Sequence, residues 1–121
     1  MFDRPGNGTA AVVVGLDLGE DGYAESLEEI RLLTASAGVA TRAVVRGRRS
    51  RPGPALFAGK GKVEEVAQTL ATTGANLAIF NHELSPVQER NLEKSLGCRV
   101  VDRTSLILDI FAQPARMQKI V

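Results

Sequence analysis

The chain has 121 residues, of which 44% are hydrophobic and 24% charged, with a formal net charge of +1; this balance is typical of one soluble globular domain with its own core. The apolar runs are too short to span a membrane, the N-terminus has no signal-peptide pattern, and the single Cys98 excludes an internal disulfide. Only 4% of the residues are aromatic, which argues against recognition of single-stranded nucleic acid by base stacking. We therefore expect a cytoplasmic protein without a structural metal.

Apolar runs of strand length alternate with apolar residues at helical spacing along the chain. In chain order they predict a flexible leader at 1–8, a strand at 10–16, an acidic turn at 17–22, a helix at 26–37, a strand at 39–45, an irregular stretch at 46–54, a helix at 61–73, a strand at 76–80, a helix at 85–96, a strand at 98–101, a helix from 103 to 111 or 113, and a short tail at 114–121. Two prolines and two glycines within 46–54 predict that this stretch lies outside helix and sheet.

The clearest helix start is at Ser85. Ser85 suits the N-cap, Pro86 suits the first helical position, and Gln88 completes a capping box. Gly97 is placed to end this helix, and Asp102 can cap the last one. These signals fix the third helix more firmly than its neighbours.

The order β-α-β-α-β-α-β-α predicts a four-stranded parallel sheet with helices on both faces, formed by residues 9–113. Right-handed crossovers favour the strand order 2-1-3-4. Ligands of such sheets bind beyond the carboxyl ends of the strands. That rule places three loops on one edge: the acidic turn, the basic stretch through Lys62, and residues 81–85.

The charges are strongly segregated. Residues 17–29 hold six acids and no base, whereas residues 41–62 hold seven bases and no acid. A basic block of this density can bind a polyanion, and a solvated basic loop is the alternative. The candidate RNA- or phosphate-binding residues are Arg46, Arg48, Arg49, Arg51, Gly59, Lys60, Gly61 and Lys62.

The segment Gly59-Lys-Gly-Lys62 precedes a helix pattern, so it can face an anion with helix N–H groups and two ammonium groups. It is not a Walker A loop, because Gly61 stands where a Ser or Thr hydroxyl would bind magnesium. It is not a dinucleotide fingerprint either, because Glu64 stands at the third glycine position. A flexible turn with solvated lysines is the alternative. No cofactor is expected beyond weak ATP or GTP binding.

Four polar residues are possible members of the carboxyl-end rim: Asp17, Asn81, His82 and Glu83. His82 is the only histidine, and an acid/base pair with Glu83 or Asp17 can be imagined. A loop histidine is the simpler interpretation, because no nucleophile with a placed base is visible. We therefore expect no enzymatic activity from these residues.

The last predicted helix is apolar on nearly all sides. Leu106, Ile107, Ile110 and Phe111 contribute to this surface, with Asp109 as the main interruption. A helix of this kind needs burial on every side, and an exposed apolar patch usually marks an interface. We expect self-association, or a partner protein, at this helix.

Three motifs resemble the N-terminal domain of the HflX GTPases. They are Phe57-Ala-Gly-Lys-Gly-Lys-Val-Glu-Glu, Glu83-Leu-Ser-Pro-Val-Gln-Glu-Arg-Asn-Leu-Glu and Val101-Asp-Arg-Thr-Ser-Leu-Ile-Leu-Asp-Ile-Phe-Ala, in the family's order. The resemblance implies a ribosome-associated protein, because HflX binds the large ribosomal subunit and splits ribosomes under stress. It also implies that the N-terminal domain reaches toward ribosomal RNA near the peptidyl-transferase region, while a separate G domain hydrolyses GTP.

The family's helical pair and G domain are not recognisable in these 121 residues, which contain neither a Walker A loop nor an Asn-Lys-x-Asp motif. GTP hydrolysis therefore does not carry over. The resemblance implies a module that binds the large subunit and its RNA through residues 46–62. Two alternatives stay open: a domain that binds ATP or GTP phosphate without hydrolysis, and a truncated remnant of a longer GTP-binding protein.

Overall fold

The computed structural model describes residues 9–110. Its elements are β1 (Ala10–Asp17), α1 (Tyr23–Ser36), β2 (Ala40–Arg48), α2 (Lys60–Thr73), β3 (Leu77–Phe80), α3 (Pro86–Leu96) and β4 (Arg99–Asp102), followed by a helix α4 that covers residues 103–110. The predicted leader and tail, and the interface residue Phe111, lie outside the described residues. Every helix and strand predicted between residues 10 and 110 is present.

The four strands form one parallel sheet in the order β2-β1-β3-β4. This confirms the predicted fold class and strand order. β1 lies in the interior of the sheet and has almost no exposed surface, as its continuous apolar run predicts. Within residues 9–110, no helix combines the length and the apolar character that a membrane span needs.

The helices pack in pairs on the two faces of the sheet. Val13, Ile30, Ile79 and Leu106 belong to the core under α1 and α4, which we call the α1-side core. The other face is covered by α2 and α3, and we call the packing there the α2-side core; its buried members are Val12, Val14, Leu16, Val45, Phe57, Ala58, Val63, Val66, Leu70, Ala78, Phe80, Leu84, Leu92 and Val100. Successive residues of β1 alternate between these cores because side chains alternate across a strand.

The prediction of an irregular stretch at 46–54 was wrong for its first three residues. Residues 46–48 belong to β2, where Arg46 pairs with Gly15 and Arg48 with Asp17. The strand continues because β1 offers backbone partners as far as Asp17, and because an exposed strand tolerates charged side chains. The irregular segment begins only at Arg49. The first helix also starts earlier than predicted, at Tyr23, whose hydroxyl donates a 2.7 Å hydrogen bond to the carbonyl of Gly15.

The capping box of α3 is confirmed. The Gln88 N–H donates to Ser85 Oγ at 3.1 Å, and the Ser85 N–H donates to Gln88 Oε1 at 2.8 Å. Gly97 ends the helix with a φ of 69°, a backbone conformation that favours glycine. Asp102 caps α4, because its Oδ1 accepts a 2.8 Å hydrogen bond from the Ser105 N–H.

Candidate nucleic-acid interface

Three loops meet at the carboxyl ends of β1 and β3, as the sheet topology predicts. The Arg49 N–H donates to the carbonyl of Asp17 at 3.0 Å, which joins the basic segment to the end of β1. His82, just after β3, accepts a 2.9 Å hydrogen bond from the Leu16 N–H at Nε2. The His82 ring also lies 4.6 Å from the Phe57 ring. These contacts connect all three loops to the central strand.

Residues 49–59, which we call the basic loop, form an ordered turn. Gly53 and Phe57 exchange two backbone hydrogen bonds, of 2.8 and 3.1 Å. Two side chains of α3 hold the tip of this turn: Gln88 Nε2 donates to the Gly53 carbonyl at 2.7 Å, and Asn91 Nδ2 donates to the Ala55 carbonyl at 3.0 Å. Because the oxygen of the Gln88 amide caps α3, one side chain fixes both the helix start and the loop.

Phe57 fixes the other end of the turn. Its side chain is 4% exposed and packs into the α2-side core. Its φ of 69° lies in the left-handed region, which costs a residue with a Cβ roughly 1 kcal/mol or more. The free energy gained by burying the ring must therefore exceed the cost of this strained backbone conformation. The basic loop is thus attached to the core rather than free in solvent.

Arg49 is used inside the basic loop. Its Nε donates a 2.8 Å hydrogen bond to the carbonyl of Arg51. A Cβ at Gly59 would lie only 2.8 Å from Arg49 Nη1, so glycine leaves room for the guanidinium group. Arg49 therefore stabilises the loop and contributes less to an outward binding surface than its charge suggests.

The Lys62 side chain also binds groups of its own domain. Its Nζ donates 2.7 Å hydrogen bonds to the carbonyl of Arg46 and to Glu65 Oε1. The aliphatic stem of Lys62 crosses Gly47, where a Cβ would lie 2.8 Å from Cε. Lys62 thus ties the start of α2 to the outer side of β2.

The remaining cations of the candidate site point into solvent. Arg46, Arg48, Arg51 and Lys60 are exposed, and we call them the outer cation set. Within residues 9–110 their only ion pair is a 4.0 Å contact between Arg48 and Asp17, and the Arg48 side chain is 87% exposed. Gly61 is exposed, with nothing within 4 Å of the position a Cβ would take. This set surrounds the end of β2 and the start of α2.

A cavity of about 160 Å³ lies at the carboxyl ends of β1 and β3. Asp17, Asn81 and His82 line it together, whereas Glu83 is exposed elsewhere. The Asn81 amide is committed to structure: its Nδ2 donates to Ser26 Oγ at 2.9 Å, and its Oδ1 accepts from Arg103 Nη1 at 2.7 Å. Within the described chain, no group of three or more His, Cys, Asp or Glu side chains could hold a metal ion.

His82 is neutral in this setting. Burial first, and then the positive charge of Arg103, lower the pKa of His82 to about 4. Because Nε2 accepts the Leu16 N–H, the proton of the neutral ring is on Nδ1. The nitrogen that would serve as a general base is therefore occupied by the backbone, and His82 acts here as a structural link between β1 and the loop after β3.

The predicted interface helix is only partly open. Leu106 is fully buried in the α1-side core, Ile107 and Ile110 are half-buried, and Leu108 is 62% exposed. Leu108 is therefore the apolar side chain of α4 most available to a partner. Self-association through this helix stays a prediction.

Several structural roles at the site were not foreseen from the sequence, namely those of Phe57, Gln88 and Asn91 in holding the basic loop and that of Gly47 in leaving room for the Lys62 side chain. Gln88 was predicted only as a cap. Two of the motifs carry a usable signal: Phe57 opens one, while Gln88 and Asn91 lie three residues apart in another, on one face of α3. If these two motifs are taken to pack against each other, the sequence predicts that the basic loop is ordered.

The architecture defines the class of the protein: it is a parallel α/β domain with loops gathered at the carboxyl ends of its strands. Solved structures share this fold, including the SsGBP and GDP complex (TM-score 0.68, 19% identity, 87% of this chain and 29% of that chain). A GTP-binding protein of Sulfolobus solfataricus in complex with GDP also shares this fold (TM-score 0.65, 19% identity, 86% of this chain and 30% of that chain). At these identities the likeness concerns the fold.

Sequence relatives then identify the family. The model of the GTP-binding GTPase N-terminal family matches residues 24–112. GTPase HflX of Escherichia coli K12 is 50% identical over 116 residues, and GTPase HflX of Flavobacterium psychrophilum is 37% identical over 107 residues. The chain belongs to this family, that of the N-terminal domain of the HflX GTPases. It spans 27% and 26% of the lengths of these two relatives.

Proposed function

We propose that this domain is a non-catalytic module that docks on the large ribosomal subunit, in the cytoplasm, by binding phosphates of ribosomal RNA. The observation that carries the proposal is the outer cation set: four exposed cations at the end of β2, in the basic loop and at the start of α2, with a single long ion pair among the described residues. Contacts to phosphate supply affinity and orientation without reading sequence. The ribosome as partner is an inference from membership of the HflX family.

The ordered conformation of the basic loop supports this function. Gln88, Asn91 and Phe57 hold the turn that carries Arg51, and Lys62 holds the strand end that carries Arg46. A surface ordered before binding loses less conformational entropy when the ligand arrives. The side chains that contact their own domain thus assist the arginines that face solvent.

The neighbouring acidic turn limits where RNA can approach. Glu20, Asp21 and Glu25 are exposed at the start of α1, and their charges repel phosphate. RNA is therefore directed to the side of the domain formed by β2 and the basic loop. Segregated charge of this kind orients association as well as strengthening it.

Nucleotide binding at Gly59–Lys62 has less support than RNA binding. Lys62 Nζ already has two partners, and the Arg49 guanidinium group lies against Gly59. A bound phosphate would have to displace Lys62 from the Arg46 carbonyl. ATP or GTP binding without hydrolysis stays the alternative.

Replacing Arg46, Arg48 and Arg51 together by alanine should weaken binding to purified large subunits about a hundredfold at 0.1 M salt, because three phosphate contacts are lost. Arg49 and Lys62 are left intact because they stabilise the fold. Cosedimentation at fixed salt measures the effect. The matched control is Arg90→Ala, an exposed arginine on α3, which should bind like the wild type. Equal binding of the triple variant and the wild type would refute the proposal.

A further inference from the structure

β2 is an edge strand of the sheet and, with nine residues, is longer than any other strand of the described chain. Three arginines lie along it: Arg42, Arg46 and Arg48, all exposed. Val44, between them, packs against the α1-side core, and Arg46 and Arg48 follow it at two-residue intervals. Since side chains alternate along a strand, these two arginines lie on the α1 side of the sheet.

The outer edge of β2 is not prepared to receive another strand. Lys62 Nζ binds the Arg46 carbonyl there. The pairing of β2 with β1 also shifts between Thr41 and Ala43, which leaves Arg42 as the extra residue of an irregularity. A lysine on the edge and a bulge are both features that prevent edge-to-edge pairing. An added peptide strand is therefore disfavoured, while the guanidinium groups remain accessible.

Among the described residues, Asp17 is the acid whose ion pair involves an arginine of this edge. Asp17 lies 4.0 Å from Arg48, a distance at which an exposed pair contributes little. Arg48 is therefore free to exchange this weak contact for phosphate.

The aromatic residues decide which form of RNA fits. Among residues 9–110, Phe57 and Phe80 are buried, and Tyr23 is half-buried with its hydroxyl bound to Gly15. No fully exposed ring in this part of the chain can stack on an unpaired base, and recognition of single strands depends on such stacking. Double-stranded RNA is instead bound largely through its backbone and shape.

We propose that the exposed edge of β2, from Arg42 through Arg46 to Arg48, is a binding track for the phosphate backbone of double-stranded RNA. The track rests on the proposed function, and it adds Arg42 to the surface defined there. Six residues of strand separate its ends, which corresponds to about 20 Å. A track of this length contacts several successive phosphates.

The test uses the full 121-residue chain and a labelled RNA hairpin of about 16 base pairs, with an unstructured RNA of equal charge for comparison. Arg42→Ala should weaken hairpin binding about fivefold at 0.1 M salt and lower the log–log salt slope by about 0.8. Arg90→Ala should change neither. The hairpin should bind at least tenfold tighter than the single strand. Arg42→Glu gives a larger effect of the same sign, and unchanged melting temperatures show that the variants fold.

The outcomes separate the track from the proposed function. If Arg42→Ala and Arg42→Glu bind the hairpin like the wild type while the Arg46/Arg48/Arg51 triple variant loses binding, the track is wrong and the function stands. If none of these variants loses binding, both are wrong. Equal or tighter binding of the single strand overturns the preference for duplex RNA.

Discussion

Replacing Phe57 by alanine should lower the free energy of unfolding by about 3 kcal/mol, the usual loss for a buried phenylalanine. The ring is 4% exposed, packs in the α2-side core and contacts the ring of His82. Alanine keeps the strained φ of 69° but removes the burial that compensates for it. For a domain of this size the change corresponds to a melting temperature roughly 10 °C lower.

The same variant should also loosen the basic loop. Trypsin should cleave after Arg49 faster in Phe57→Ala than in the wild type under native conditions, because the turn from Gly53 loses its anchor in the core. Val87→Ala is the matched control: Val87 is 53% exposed on α3, and its loss should cost less than about 0.5 kcal/mol. A loss below about 1 kcal/mol for Phe57→Ala, with unchanged cleavage, would show that the loop does not depend on this ring.

Acid should destabilise the domain through His82. The pKa of His82 is about 4 in the folded chain, whereas an unfolded histidine has a pKa of about 6.5. As the pH falls from 6.5, the unfolded state binds the proton first, so the stabilisation is complete above pH 6.5 and is lost between pH 6.5 and 4. We expect a loss of about 2 kcal/mol over this window, less than full burial would give because the ring is partly exposed.

Denaturant unfolding at a series of pH values checks this expectation. His82→Gln is the comparison, because an amide oxygen can still accept the Leu16 N–H but does not titrate. The stability of the wild type minus that of the variant should fall steadily from pH 6.5 to 4. A constant difference across this range would mean that His82 titrates like an exposed residue.

Much of the fold could be predicted because it depends on local signals that agree with one another. The apolar run of β1 required burial on both faces, and the Ser85–Gln88 box required a helix start at Pro86. The strand order followed from right-handed crossovers between parallel strands. Each of these features depends on the backbone and on hydrophobic periodicity, which a sequence displays directly.

The site could be predicted only in part, because the charge of a side chain does not show whether that side chain faces solvent or its own domain. Arg49 and Lys62 have the same sequence character as Arg48 and Lys60, yet the first two bind backbone carbonyls of their own domain. What distinguishes them is contact with glycine: Arg49 lies against Gly59, and Lys62 crosses Gly47. These contacts join residues far apart in the chain, so composition and spacing do not show them.

The salt dependence of wild-type binding to purified large ribosomal subunits tests the central claim most directly. If the four members of the outer cation set each bind a phosphate, the logarithm of the association constant should fall against the logarithm of salt concentration with a slope of about −3 to −3.5. In the Arg46/Arg48/Arg51 triple variant the slope should be close to −1. A wild-type slope shallower than about −1, or the same slope in both proteins, would contradict phosphate binding by this surface.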